Sequence, residues 1–227
     1  MGKKAIHLCI NRWAVWPPKS PNEVGVPPCA FVEAGLRRRL SPLARVALFL
    51  ANECAADLPL VRVVFASRHG ELNKTHIMLT DIARGEDISP TAFSLSVHNA
   101  IPGLFSILRN DATATTALAA SEGTLGMGLF HAGLEYAILE MPVLFIYADV
   151  PLENDLYTGI DEIPMPCGLA LLLDSQGIAL EVSRIKEHSE ECASYASLQK
   201  LVDVLHGVEE DIFLSDRRGC WKVTRAI

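Results

Sequence analysis

The residues best placed to do chemistry lie in a short turn between a predicted strand, Thr113 to Leu118, and a predicted helix. The turn consists of Ala119, Ala120 and Ser121. Such a turn places its side chains at a helix N-terminus, where free backbone N–H groups and the helix dipole stabilise a developing negative charge or an activated nucleophile. We therefore expect any chemistry of the chain to centre on this turn.

The hydroxyl of Ser121 is one candidate nucleophile. It lies in an Ala-x-Ser-x-Gly sequence, a loose form of the nucleophile elbow of serine hydrolases. Acidic residues and histidines follow in the chain order that this fold uses. A serine esterase or thioesterase is therefore the alternative function, with Ser121, then Asp149 or Asp174, then His188 or His206 as the candidate triad.

A capping role for Ser121 is the simpler interpretation, and we favour it. Serine is a preferred N-cap residue that typically stabilises a helix by about 1 kcal/mol. Glu122, in the first turn of the predicted helix, complements the helix dipole. Further along the helix, glycines at 123, 126, 128 and 133 each cost about 1 kcal/mol relative to alanine, so we expect close backbone packing in return.

Apolar strands alternating with helices must position this turn. Leu60 to Ala66 and Val143 to Asp149 have the character of buried parallel strands. Ser41-Pro42 and Ser89-Pro90 each place an N-cap residue before a proline, which predicts two helix starts. We expect an α/β fold.

The remaining elements complete this pattern. Pro102 is expected to interrupt a helix that starts at Thr91. The other predictions are a strand at Ala5 to Cys9, a loop at Trp13 to Pro28, a helix at Gly103 to Leu108, strands at Leu169 to Leu173 and Ile178 to Arg184 joined by a turn, a helix at Ser197 to His206, and a strand at Trp221 to Arg225.

Composition excludes several classes of function. The chain has 227 residues, of which 50% are hydrophobic, and a net charge of −7, which argues against a nucleic-acid surface. The run from Arg37 to Arg39 is expected to be a solvated turn before the next helix, and a contact with an acidic partner is the alternative. The start of the chain lacks a signal-peptide pattern, and no apolar run is long enough to span a bilayer. The six cysteines are widely spaced, so we expect a cytoplasmic protein without a metal site.

Five segments resemble, in this order, the β-ketoacyl-synthase-like N-terminal domain found in aryl polyene and flexirubin-type pigment clusters. The resemblance covers about Leu36 to Leu173 and includes the Ser-Val-His-Asn sequence, its most specific part. The segments are Ser67 to Glu71, Ser89-Pro90, Phe93 to Ala100, Ala119 to Gly123 and Val143 to Asp149.

This resemblance implies one half of a thiolase-type fold, with α-β-α layers and a mixed sheet. It implies a single domain over residues 1–227, in which residues 175–227 are a truncated C-terminal extension. Ala120 stands where the family's condensing members carry their nucleophilic cysteine, and no later segment matches their two catalytic histidines. We therefore expect no condensing activity and no cofactor.

The role that the resemblance implies is that of a chain length factor, a pseudo-ketosynthase that pairs with an active β-ketoacyl synthase and walls its acyl tunnel. An acyl carrier protein would act through that partner. In such dimers the strand before the turn pairs across the two-fold axis. The residues that we assign to the interface or tunnel are Thr113, Thr115, Thr116, Ala117, Leu118, Ser96, His98, Asn99, Met127 and Phe130.

Overall fold

The computed structural model describes residues 5–17, 25–139, 141–153, 163–185, 194–216 and 219–226. The strands are β1 (Ala5–Trp16), β2 (Arg62–Ala66), β3 (Thr115–Leu118), β4 (Val143–Asp149), β5 (Cys167–Leu173), β6 (Ile178–Ile185), β7 (Asp211–Asp216) and β8 (Gly219–Arg225). The helices are α1 (Ala34–Arg37), α2 (Pro42–Ala55), α3 (Leu72–Ala83), α4 (Pro90–Ser94), α5 (Ala100–Arg109), α6 (Thr124–Leu139) and α7 (Ser194–His206).

All of these strands lie in one mixed sheet, in the order β3-β2-β4-β5-β1-β6-β8-β7. The pairs of β2 with β3 and with β4 are parallel, and the other pairs are antiparallel. Every residue of β4 and β5 is buried. One core packs between the sheet and helices α6 and α7, and the other packs beneath α2 and α5. The predicted α/β fold with a mixed sheet and helical layers is therefore confirmed.

Local capping explains where the second helix begins. Ser41 accepts a hydrogen bond on Oγ from the N–H of Ala44 at 3.0 Å, and Pro42 is the first helical residue. The predicted helix start is therefore confirmed. The arginine run lies just before this cap, with Arg38 and Arg39 exposed, as expected for a solvated turn.

The first strand is longer than the sequence suggests. Residues 13–16, expected to be part of a loop, pair with β5 as the continuation of β1. The aromatic and proline residues that follow Cys9 suggested a loop, but β1 is an interior strand with partners on both sides. Within the described part of the chain, residues 13–16 pair with β5 alone, and the hydrogen bonds of this neighbour outweigh the weak local signal.

The strand β1 also separates two strands that are adjacent in sequence. β5 and β6 are joined by a turn, as predicted, yet they do not pair, because β1 lies between them. Gly177 in this turn has φ +138°, and a Cβ there would lie 1.9 Å from the carbonyl oxygen of Ile10. Only glycine allows the turn to pass so close to β1.

Pro102 does not interrupt a helix, contrary to our expectation. α4 ends at Ser94, and α5 begins at Ala100, so Pro102 lies in the first turn of α5. The backbone N–H groups of a first turn have no partner within the helix, so a proline there removes no hydrogen bond. The predicted helix at Gly103 to Leu108 is the rest of α5.

The C-terminal part of the chain builds three strands of the sheet. β6, β8 and β7 extend it beyond β1, and β7 was not predicted from the sequence. Trp221 in β8 is buried between Phe130 of α6, at 4.9 Å between ring centroids, and the guanidinium group of Arg184. The end of the chain is thus packed against the helix that follows the candidate turn.

The glycines of α6 make the close contacts that we predicted. A Cβ would lie 2.3 Å from Trp221 at Gly126, 2.6 Å from Phe145 at Gly128 and 2.3 Å from Leu8 at Gly133. The absence of side chains at these positions lets α6 lie against both the sheet and the C-terminal strands.

We predict that Gly126→Ala lowers the free energy of unfolding by about 2 kcal/mol, because the added methyl group overlaps the buried ring of Trp221. Gly103→Ala in α5 is the matched control. A Cβ at Gly103 meets nothing within 4 Å, so the better helix propensity of alanine should stabilise the chain by about 0.5–1 kcal/mol. Urea unfolding measures both variants, and equal effects of the two substitutions would contradict the packing role.

Candidate functional site

The turn after β3 is closed by a threonine. Residues Ser121–Gly123 form a single 3₁₀ turn that runs into α6. Thr124 Oγ1 accepts a hydrogen bond from the N–H of Ala120 at 2.9 Å and donates one to the carbonyl oxygen of Ser121 at 2.7 Å. The predicted capping role of Ser121 is wrong, since Ala120 is the N-cap residue and no side chain caps the turn.

The side chain of Ser121 is exposed, and its backbone is in the left-handed region, with φ +53°. Among the residues that the structure describes, no histidine donates to or accepts from the Ser121 hydroxyl. His206 instead packs edge-on against Trp13, with ring centroids 4.7 Å apart. His188 lies outside the described residues.

The two aspartates of the candidate triad lie at opposite ends of the paired strands β4 and β5. Asp149 ends β4, where it pairs with Cys167, whereas Asp174 follows Leu173, which pairs with the first residue of β4. The seven residues of β4 span about 20 Å from one end to the other. Asp174 is therefore far from Ser121. Only Asp149 lies at the same end of the strands as the turn that follows β3.

The carboxylate of Asp149 is already engaged in a buried network. Its Oδ1 accepts hydrogen bonds from Ser67 Oγ at 2.8 Å and from the N–H of Arg68 at 2.9 Å. Arg68, with only 8% of its side chain exposed, forms an ion pair with Glu122 of the turn at 3.0 Å. Burial raises the pKa of Asp149, although these hydrogen bonds favour its charged form. The network fastens the ends of β2 and β4 to the turn.

Ala120 leaves the turn without a nucleophile at the position that the sequence analysis singled out. Its methyl group cannot accept an acyl chain, and its N–H is already bonded to Thr124. The surrounding polar groups bind one another rather than an open site. Within the described part of the chain, no cluster of His, Cys, Asp or Glu has the arrangement of a metal site.

The predicted interface strand lies at the edge of the sheet. β3 pairs with β2 on one side and has no strand on the other among the described residues. Thr116 and Leu118 face α6, whereas Ala117 packs towards the core beneath α2 and α5. Thr113 precedes the strand and donates its N–H to Asp111 at 2.9 Å.

A half-buried polar cluster lies beside this edge strand. The guanidinium group of Arg62 binds both carboxylate oxygens of Glu135, at 2.6 and 3.0 Å. Thr116 Oγ1 and the ring of His131 bind the same carboxylate at 2.9 and 3.0 Å. Burial acts to raise the pKa of Glu135, but the hydrogen bonds from Arg62 and Thr116 outweigh it and hold the pKa below its ordinary value.

The Ser-Val-His-Asn segment has one partly buried contact, made by His98, and two exposed side chains, those of Val97 and Asn99. His98 Nε2 donates to the carbonyl oxygen of Ser67 at 2.9 Å, and its ring packs on Phe65. Ser96 Oγ bonds only the carbonyl oxygen of Phe93, and Asn99 is exposed without capping α5. His98 is thus a structural contact at the end of β2.

The two α6 residues assigned to the interface or tunnel face different surroundings. Met127 is 36% exposed. Phe130 is partly buried against Trp221. Leu134 and Ile138 are exposed on the same helix, at 39% and 75%. Helix α6, whose Glu135 binds Thr116 of the edge strand, therefore also presents apolar side chains to solvent.

We predict that Glu135→Gln lowers the free energy of unfolding at pH 7 by about 1–2 kcal/mol, because the charge-assisted hydrogen bonds to Arg62 weaken. The pKa of Glu135 is lowered in the folded chain, so its contribution is present above the ordinary value of 4.5 and is lost as the pH falls through the folded value. Urea unfolding at pH 7 and pH 3 should show the difference between wild type and variant shrinking at low pH. Glu86→Gln, on an exposed loop, is the control.

None of the helices that the structure describes is both long and apolar enough to cross a membrane. No curated protein sequence matched the chain. Solved structures are similar to it, however. One chain in the structure of the ketosynthase ApeO in complex with its chain length factor ApeC from Xenorhabdus doucetiae aligns with 26% identity and a TM-score of 0.81, over 97% of this chain and 100% of the matched chain.

A β-ketoacyl synthase from Burkholderia phymatum STM815 aligns with 11% identity and a TM-score of 0.54, over 82% of this chain and 58% of that chain, and it shares the fold. The family model described as β-ketoacyl synthase, N-terminal domain, matches residues 12–222. The eight-stranded mixed sheet with its covering helices is the thiolase-like ketosynthase fold. The chain therefore belongs to the β-ketoacyl synthase N-terminal domain family.

Proposed function

We propose that the chain is a non-catalytic chain length factor that pairs with an active β-ketoacyl synthase in aryl polyene biosynthesis. The observation that carries the proposal is Ala120. Condensation by a ketosynthase requires a thiolate that accepts the growing acyl chain as a thioester, and a methyl group cannot form that bond. The likeness to a chain from a complex of a ketosynthase with its chain length factor supports this role.

The free edge of β3 supports pairing with another subunit. Exposed edge strands offer unpaired N–H and C=O groups, and natural proteins block them with charges, prolines or bulges. Thr115 to Leu118 contain no charged residue and no proline, and they pair in regular register with β2. Such an edge is suited to accept a strand of the partner across a two-fold axis.

The surroundings of β3 support a role in shaping the tunnel. Met127, Leu134 and Ile138 of α6 expose apolar side chains on one side, and Ile107 of α5 is 75% exposed on the other. Apolar residues that flank an open sheet edge are typical of interfaces. In the proposed complex they meet the ketosynthase, and Ala117 and Leu118 lie close to the acyl chain. The carrier protein delivers that chain to the partner.

The whole chain acts as one domain in this proposal. Residues 178–185 and 219–225 pair directly with the central strands, so the C-terminal part contributes to the same sheet. Trp221 further joins it to α6, the helix that follows the turn.

Co-expression with the ketosynthase encoded next to this chain should yield a one-to-one heterodimer, because the free edge of β3 and the edge strand expected in the ketosynthase would pair with each other. Size-exclusion chromatography with light scattering measures the mass of the complex. A chain that never captures the ketosynthase, and that elutes alone at every ratio tested, would contradict the proposal.

Mass spectrometry after incubation of the heterodimer with acyl and malonyl carrier substrates should find the acyl group only on the ketosynthase. A fluorophosphonate probe tests the serine esterase alternative on the same sample. We expect no label on this chain. Label that is present in wild type and lost in Ser121→Ala would establish the alternative and overturn a non-catalytic role.

Ala117→Phe should shorten the products of the complex, because the larger side chain reduces the space for the acyl chain at the proposed subunit interface beside β3. Chromatography of the released products measures chain length, and light scattering checks that the heterodimer persists. Ala56→Phe, the same substitution at an exposed position that ends α2 away from β3, is the control. Unchanged product length from an intact Ala117→Phe heterodimer would count against a tunnel-wall role.

A further inference from the structure

The edge strand β3 is short and only partly covered. It has four residues, each of them partly buried, and among the described residues it pairs with β2 alone. A strand with few buried contacts opens locally more easily than an interior strand. Other groups must therefore hold β3 in place if its free edge is to accept another strand.

Hydrogen bonds fix the two ends of β3 to β2. Asp111, before the strand, accepts hydrogen bonds from the N–H of Thr113 at 2.9 Å and from the N–H of Val61 at 3.0 Å. At the other end the N–H of Ser67 donates to the carbonyl oxygen of Leu118 at 3.3 Å. These bonds set the register of β3 on β2, but they do not tie the strand to the helical layer.

Helix α6 reaches β3 through one long side chain. The helix packs over β4, β2 and β1, so β3 lies at the margin of the area that it covers. Glu135 of α6 crosses this margin, and its Oε1 accepts a hydrogen bond from Thr116 Oγ1 at 2.9 Å. In the described part of the chain, no other side-chain hydrogen bond joins β3 to α6.

The acceptor sites of the Glu135 carboxylate are filled from within the chain. Arg62 donates from Nε and Nη2 at 2.6 and 3.0 Å, and His131 Nε2 binds Oε1 at 3.0 Å. Together with the bond from Thr116, these contacts use about as many hydrogen bonds as two carboxylate oxygens can accept. A partner subunit can therefore cover the cluster without leaving the charge unpaired, and the cluster needs no group from that partner.

Partial burial strengthens this anchor. Only 12% of the Glu135 side chain and 20% of the Arg62 side chain are exposed. Hydrogen bonds to a charged acceptor in such surroundings are stronger than those between neutral groups in water. Arg62 Nη2 also lies 3.4 Å from Thr116 Oγ1, so the guanidinium group helps to fix the hydroxyl. The middle of β3 is thereby held to α6 beside the free edge.

We propose that Glu135 is a positioning residue for capture of the ketosynthase, and that it acts through Thr116 to hold β3 against α6 in the conformation that a partner strand joins. The inference rests on the proposed function. Glu135 touches neither substrate nor reacting atoms. An edge strand that is already ordered binds more tightly, because less conformational entropy is lost when the complex forms.

The test compares Thr116→Val, Thr116→Ser and Thr224→Val in the full chain. Valine removes the hydroxyl group with little change of shape, and serine keeps it. Thr224 is the matched control, because it is partly buried in β8, on the far side of the sheet from β3. Thr116→Val should raise amide hydrogen exchange within residues 115–118 of the chain alone, and the dissociation constant of the heterodimer, at least fivefold each. Thr116→Ser and Thr224→Val should stay within twofold of wild type in both measurements.

Each result of this experiment has a distinct meaning. If wild type captures no ketosynthase, the proposed function fails and the inference fails with it. If wild type binds the ketosynthase and Thr116→Val binds it equally well, the inference alone is overturned. If Thr116→Val weakens binding while exchange within residues 115–118 is unchanged, Thr116 contacts the ketosynthase directly and the positioning role of Glu135 is overturned.

A double-mutant cycle tests the link between the two residues. Glu135→Gln removes the charge while nearly keeping the shape of the side chain, so the bond from Thr116 weakens. If the two residues act as one unit, the combined variant should raise the dissociation constant at least threefold less than the product of the two single effects. Glu86→Gln, on an exposed loop, is the control for the loss of a negative charge. Effects that simply multiply would show that the residues act separately and would overturn the inference.

Discussion

The buried carboxylate of Asp149 joins the parts of the chain on which its function depends. It fastens the end of β4 to Ser67 and Arg68 at the end of β2, and Arg68 carries the connection to Glu122 beside Ala120. Burying a carboxylate is costly, and the hydrogen bonds to Oδ1 offset part of that cost, so these groups fix one another's positions. The turn therefore keeps its shape with alanine at position 120.

In the proposed role, the absence of a thiol at position 120 and the retention of the scaffold are consistent with one another. A chain that only pairs with a catalytic partner needs an edge strand, a rigid helix beside it and a fixed end to the strand. β3, α6 and the network around Asp149 supply these three features. Ala120 removes the thiol without disturbing the N–H bond to Thr124 that closes the turn.

The buried strands, the Ser41 cap and the close packing of the α6 glycines could be predicted from the sequence. Apolar runs, helix capping and the free-energy cost of each glycine in a helix all depend on the local sequence. It did not predict β7, the continuation of β1 or the position of Pro102. Those depend on which strands become neighbours and on where a helix starts, which are properties of the tertiary structure. The close approach of the His98 ring to Gly70 could not be predicted from the sequence for the same reason, although both residues lie in segments that carry the family resemblance.

A crystal structure of the chain purified together with its ketosynthase tests the central claim most directly. The account predicts a partner strand hydrogen-bonded to the outer edge of Thr115 to Leu118, and an acyl chain attached only to the partner. An edge strand left in solvent, with the ketosynthase bound elsewhere, would contradict it. So would an acyl group attached to Ser121.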